Sequence, residues 1–165
     1  MTLSKDARRQ NLDDAVLMLM ENLCGRSIME SFIDERFLDA GILPTTWEEL
    51  KARYLVRTTN VRCMYTLSGL GWIHGLKLRD EFDSAEMREL AGRLCAALKD
   101  KVKGRRSDEM VSVAELAAET KIPESFIRNA VESNLIEKLF GVKDAEWEDR
   151  GKFINIPLIF GMRPL

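Results

Sequence analysis

The feature that most narrows what this chain can fold into is a change of hydrophobic period that happens twice along its length. Leu12, Ala15, Val16, Leu19, Met20 and Leu23 recur at i, i+3, i+4, i+7, i+8 and i+11, the spacing of one helical face. Leu17 and Met18 widen that face, so this helix should have neighbours on two sides. Ser27 to Ala40 reads as a second helix, with Ile28, Met29, Phe32, Ile33 and Phe37 inward and Gly41 as its stop. Thr45 and Thr46 can cap a third, which places Trp47, Leu50 and Tyr54 on one face and Glu48 and Glu49 in the first turn. From Tyr54 to Leu67 the period falls to two through Val56, Thr58, Val61, Cys63 and Tyr65, and Thr59-Asn60 interrupts the run as a hairpin turn would. Ser68 to Leu76 then reads as a short strand running into a capped helix.

The second half repeats the theme. Asp83 and Glu86 have the spacing of a capping box, with Ser84 as an alternative cap, and open a helix ended by Gly104. Its Met87, Leu90, Ala91, Leu94, Leu98 and Val102 form a stripe narrow enough to suit one partner helix, from this chain or from a second copy. Further on, Pro123 stands at a helix start, where its missing N–H costs nothing. The polar stretch Asp144 to Gly151, between Leu139-Phe140 and the apolar run Phe153 to Phe160, reads as a loop between two strands.

Two segments resemble bacterial winged-helix regulators. Tyr65-Thr66-Leu67-Ser68-Gly69-Leu70-Gly71 is similar to the Tyr-x-Leu-Thr-x-x-Gly pattern that closes their hairpin, with Ser68 in place of Thr. Val111 to Ile136 resembles their helix-turn-helix. Leu116 and Ala117 stand where its first helix packs, Ile122 stands in the turn, and Phe126, Ile127, Ala130 and Val131 provide the inner face of its second helix. The family usually has glycine in that turn, where this chain has Thr120-Lys121. The resemblance implies a mainly α fold with small β-hairpins. Residues 1–80 and 107–165 would be winged-helix-like units, and residues 81–106 a linker or dimerisation helix.

Composition excludes more than it assigns. With 45% hydrophobic and 32% charged residues the chain is globular, and its 165 residues can bury a core without metals or disulfides. Three widely spaced cysteines, Cys24, Cys63 and Cys95, do not suit a disulfide framework or a paired-cysteine zinc site, and each falls in an apolar pattern as a small buried hydrophobe. The longest apolar run is six residues, too short to span a bilayer, and Asp13 and Asp14 stand where a signal peptide is apolar, so a cytoplasmic protein is expected. His74 is the only histidine, so a triad or multi-histidine metal site would have to be built around one imidazole; neither catalysis nor a cofactor is expected. Gly69, Gly71 and Gly75 have the wrong spacing for a dinucleotide loop.

Charge then separates two functional readings. Residues 1–80 carry 11 basic and 11 acidic side chains, and the one dense positive segment is Lys99, Lys101, Lys103, Arg105 and Arg106, which can equally offset the negative end of a helix dipole. A DNA-binding regulator would anchor phosphates through Lys51, Arg53, Arg57 and Arg62 and read base edges with Arg128 and Asn129. Against it stand a net charge of −2 and Glu124 and Glu132 beside Arg128. The alternative is a protein-interaction adaptor that keeps the fold without the DNA face. In either case the surplus of apolar faces suggests a homodimer or hetero-complex through residues 83–103.

Overall fold

Leu12, Ala15, Val16 and Leu19, the face that periodicity assigns inward, are buried on helix α1 (Lys5–Leu23). The computed structural model describes residues 3–23, 27–59, 61–102, 109–140, 146–147 and 153–156. It divides into two compact units, Met1–Asp80 and Glu81–Leu165, and is mainly helical with small antiparallel sheets. Cys24, Asn60, Lys103, Gly104, Arg105, Arg106, most of Asp144 to Gly151 and Leu158, Ile159 and Phe160, all used above, lie outside the described residues.

In the first unit α1 is followed by strand β1 (Ile28–Met29), a 3-10 turn (Glu30–Phe32) and helix α2 (Ile33–Asp39). The expected helix over Ser27–Ala40 is therefore half its expected length. Two residues at its start are instead recruited into a sheet, with Ile28 opposite Tyr65 and Met29 opposite Met64, a pairing between segments distant in sequence that local periodicity cannot register. Ile33 and Phe37 are buried as expected, but Met29 and Phe32 are 44% and 52% exposed. Gly41, at φ +70°, ends α2: its N–H bonds to Leu38 O and that of Ile42 to Phe37 O, the pair of bonds that satisfies a helix's last carbonyls.

Helix α3 (Thr46–Ala52) begins without a side-chain cap. The N–H groups of Thr46 and Trp47 are taken by the carbonyls of Leu43 and Pro44 at 3.0 Å. Tyr54 stands at φ +57° beyond the helix and is exposed, so it leaves the face it was expected to share with Trp47 and Leu50. Strands β2 (Val56–Thr58) and β3 (Met64–Leu67) pair with Val56 opposite Leu67, and the connection between them is longer than a two-residue turn. Val61 and Cys63 lie in it, exposed, which corrects the reading of Cys63 as a buried hydrophobe; Cys95 is buried. Trp47 joins the core edge-on to both Phe37 and Tyr65, with ring centroids 6.2 and 5.0 Å away.

Ser68 connects β3 to helix α4 (Gly69–Leu78). Its Oγ accepts from Gly71 N at 3.0 Å and donates to Tyr54 O at 2.6 Å, so one hydroxyl caps α4 and holds it to the end of α3. A Cβ at Gly71 would sit 2.0 Å from Leu55 O, so the glycine serves close packing of a helix start against backbone. His74 Nε2 lies 2.8 Å from Asp13 Oδ1 and joins α4 to α1.

In the second unit helix α5 (Ala85–Val102) is capped by Ser84, whose Oγ accepts from Met87 N, while Asp83 bonds to Arg88. The helix read as a linker is the first helix of this unit: Met87, Ala91, Leu94, Cys95 and Leu98 are buried, and α5 packs on β4 (Glu109–Ser112), α6 (Val113–Thr120) and α8 (Leu135–Phe140). Lys121 adopts φ +58°, ψ +27° between α6 and α7 (Glu124–Glu132), the conformation for which glycine is usual. Leu139 and Phe140, expected to enter a strand, belong to α8; the hairpin strands are β5 (Glu146–Trp147), inside the stretch read as loop, and β6 (Phe153–Ile156).

Each unit runs helix, strand, helices, hairpin, to which the first adds α4, and in each the first strand pairs with the last: the sheet orders are β1-β3-β2 and β4-β6-β5. Replacing Gly71 by Ala is expected to destabilise the first unit by about 3 kcal/mol, because both the helix start and the Leu55 carbonyl would have to move. A urea transition followed by tryptophan fluorescence checks this, and an unchanged midpoint would contradict the close approach.

Candidate nucleic-acid interface

The cations expected to contact DNA stand on or beside α3, in the β2–β3 hairpin and on α7. Lys51, on α3, has its Nζ 2.7 Å from Glu48 Oε1 and 3.2 Å from Glu30 Oε1, and lies 5.8 Å from the centre of the Trp47 ring. Trp47 Nε1 donates to the same Glu30 oxygen at 3.0 Å. The hydrogen bond from Trp47, then that from Lys51, holds the Glu30 carboxyl below its ordinary pKa. The bond to Glu48, followed by that to Glu30, pushes the Lys51 ammonium up. Lys51 is thus committed to a network that ties α3 to the 3-10 turn. Arg53, just past α3, pairs with Glu49 at 2.7 Å one turn back.

The hairpin carries the other two cations. Arg57, on β2, is half-buried and donates from Nη1 to Thr58 O at 3.2 Å. Arg62 is exposed in the connection between the strands. In the second unit Arg128 pairs with Glu124 at 3.1 Å, and its Nε is buried without a partner among the described residues. Asn129 is half-buried, and its carbonyl accepts from Ser133 N.

Four of the six expected site residues, Lys51, Arg53, Arg128 and Asn129, therefore lie on two short helices or directly beside them, and each of the three cations among them has a carboxylate bound one turn away or closer. The helix residues themselves bring Glu48 and Glu49 against Lys51 on α3, and Glu124 and Glu132 against Arg128 on α7, a net charge of −1 on each. Such helices present a base edge or a phosphate with more anion than cation. The i,i+3 and i,i+4 spacings make these pairs legible from sequence. Glu30 is not: it reaches Lys51 across 21 residues, and nothing local marks it. Among the described residues no group of three or more His, Cys, Asp or Glu is placed to hold a metal ion, and no helix is long and apolar enough to cross a membrane.

Because the folded carboxyl of Glu30 is held below its ordinary value of 4.5, it adds stability above that pH and loses it as pH falls through the depressed folded value. The variant Glu30→Gln should therefore melt below the parent at pH 7, and the gap should close on acidification below about pH 4. Thermal unfolding across that range tests this; a gap independent of pH would mean the charge on Glu30 does no work.

No protein-family model, curated protein or solved structure matches this chain.

Proposed function

We propose that the chain is a tandem winged-helix protein acting as a protein-interaction adaptor. The element order and the first-to-last strand pairing of both units support the winged-helix reading, as does the left-handed Lys121 where that family has glycine in its turn. The observation that carries the adaptor role is the carboxylate pairing on α3 and α7, the helices that stand second in each helix pair, where a winged helix would meet the major groove. Binding to duplex DNA draws its free energy from cations that displace condensed counterions. Here Lys51, Arg53 and Arg128 are already neutralised.

The apolar surface supports the same reading. Met87, Ala91, Leu94 and Leu98 of the α5 stripe are buried within their own unit, while Met29, Phe32, Leu38, Tyr54, Val61 and Leu70 stand exposed on the first. A second reading, DNA binding, is favoured by Arg57 and Arg62, two guanidinium groups that stand on the β2–β3 hairpin.

Fluorescence anisotropy with a random duplex separates the two at about 50 mM and 200 mM salt. The adaptor is expected to show no binding tighter than about 100 μM at the higher concentration. Micromolar binding that falls steeply with salt and disappears in the double variant Arg57→Ala, Arg62→Ala would replace it with the DNA reading.

A further inference from the structure

Phe32, Glu35, Arg36 and Asp39 fall at i, i+3, i+4 and i+7 from the 3-10 turn through α2, on the side opposite the buried Ile33 and Phe37. With Ile28 they line an open cleft of about 340 Å³. Phe32 is half in solvent and gives the cleft an exposed aromatic side chain. Around it Glu35, Arg36 and Asp39 are exposed, and none of the three has an ion pair among the described residues. This sets the cleft apart from α3 and α7, where the cations are paired. Counting Asp34, α2 carries three carboxylates against one guanidinium.

We infer that this cleft docks a short peptide segment of a partner protein, one with an apolar anchor for Phe32 and Ile28 and flanking Lys or Arg side chains for Glu35 and Asp39. The inference rests on the adaptor reading and names its partner chemistry. Charge decides the occupant: an anionic partner would face a net negative rim, while a basic segment gains two carboxylates that have no ion pair among the described residues. The fold offers the backbone a place as well. Ile28 belongs to β1, an edge strand that pairs with β3 on one side only, so an extended segment can add beside it and set alternate side chains into the cleft.

The test is selection of displayed random nine-residue peptides on the full-length chain. Enriched peptides should carry an aromatic or aliphatic residue flanked by Lys or Arg. A synthetic copy of the best should lose about tenfold or more in affinity on Phe32→Ser, whose exposed site leaves the fold intact by thermal unfolding. Glu35→Lys with Asp39→Lys should instead enrich peptides with acidic flanks. No enrichment, enrichment without basic flanks, or peptides indifferent to all three positions would overturn the inference; in that last case the adaptor reading survives on another surface. A concentration-dependent dimer abolished by Phe32→Ser would overturn it in favour of a second copy as occupant. Salt-dependent duplex binding would sink the adaptor reading itself.

Discussion

The first unit depends on a junction between the end of α3 and the start of α4, held by backbone groups and the single hydroxyl of Ser68. Leu55 O accepts from Ser68 N at 3.0 Å, Ser68 Oγ donates to Tyr54 O, and Gly71 brings the first turn of α4 against the Leu55 carbonyl. A buried carbonyl and hydroxyl would be costly if unpaired, and here each supplies the partner the other needs. The junction fixes β2 and β3 at their open end, beside the Val56–Leu67 pair, so the register of the hairpin follows from it. Once β3 is placed, Ile28 and Met29 find their only paired neighbour, and the 3-10 turn and α2 take their direction from that pairing.

This order of dependence explains which parts of the fold were legible in sequence. Elements whose stability comes from their own apolar stripe and cap, such as α1, α4, α5 and α7, announce themselves through period, Ser68, Ser84 and Pro123. Elements that exist because another segment pairs with them do not. Ile28-Met29 carries a helix-compatible pattern and becomes a strand only because Tyr65 and Met64 arrive beside it. Leu139-Phe140 errs in the other direction: a β-compatible pair is drawn into α8, which follows a reversal at Asn134 with φ +54° and packs on α5. The left-handed residues Tyr54, Cys63 and Asn134 mark turns at positions where glycine would have been the visible signal, and its absence hid them, whereas the turn at Lys121 was legible through the resemblance of Val111 to Ile136.

The candidate site was legible to the same degree. Lys51, Arg53 and Arg128 could be placed on helices, and their carboxylates at one turn's distance were visible with them. Exposed ion pairs of this kind contribute only about 0.2–1 kcal/mol each, so a phosphate could in principle compete for the guanidinium of Arg53. What weighs against DNA is the sum over the helix: releasing one arginine exposes the glutamate that held it, and the phosphate then faces that anion at close range. Lys51 is held more firmly, because Glu30 is also engaged by Trp47 and displacing the lysine disturbs a contact that packs the core.

The two units share a topology and differ in what they leave outside. Among the described residues the large apolar side chains that stand exposed all belong to the first unit, while α5, α6, α7 and α8 of the second bury theirs against one another. Duplicated architecture therefore does not mean duplicated surface. The long α5 gives the second unit an extended apolar stripe on which α6 and α8 close, whereas α2 of the first unit is only seven residues and covers the core with one face while Phe32 remains outside it. A helix that short contributes little stability of its own and is held by Ile33, Phe37 and the Gly41 cap. Its outer face is thus free of structural duty, and substitutions there can alter recognition without reaching the junction on which the unit's fold depends.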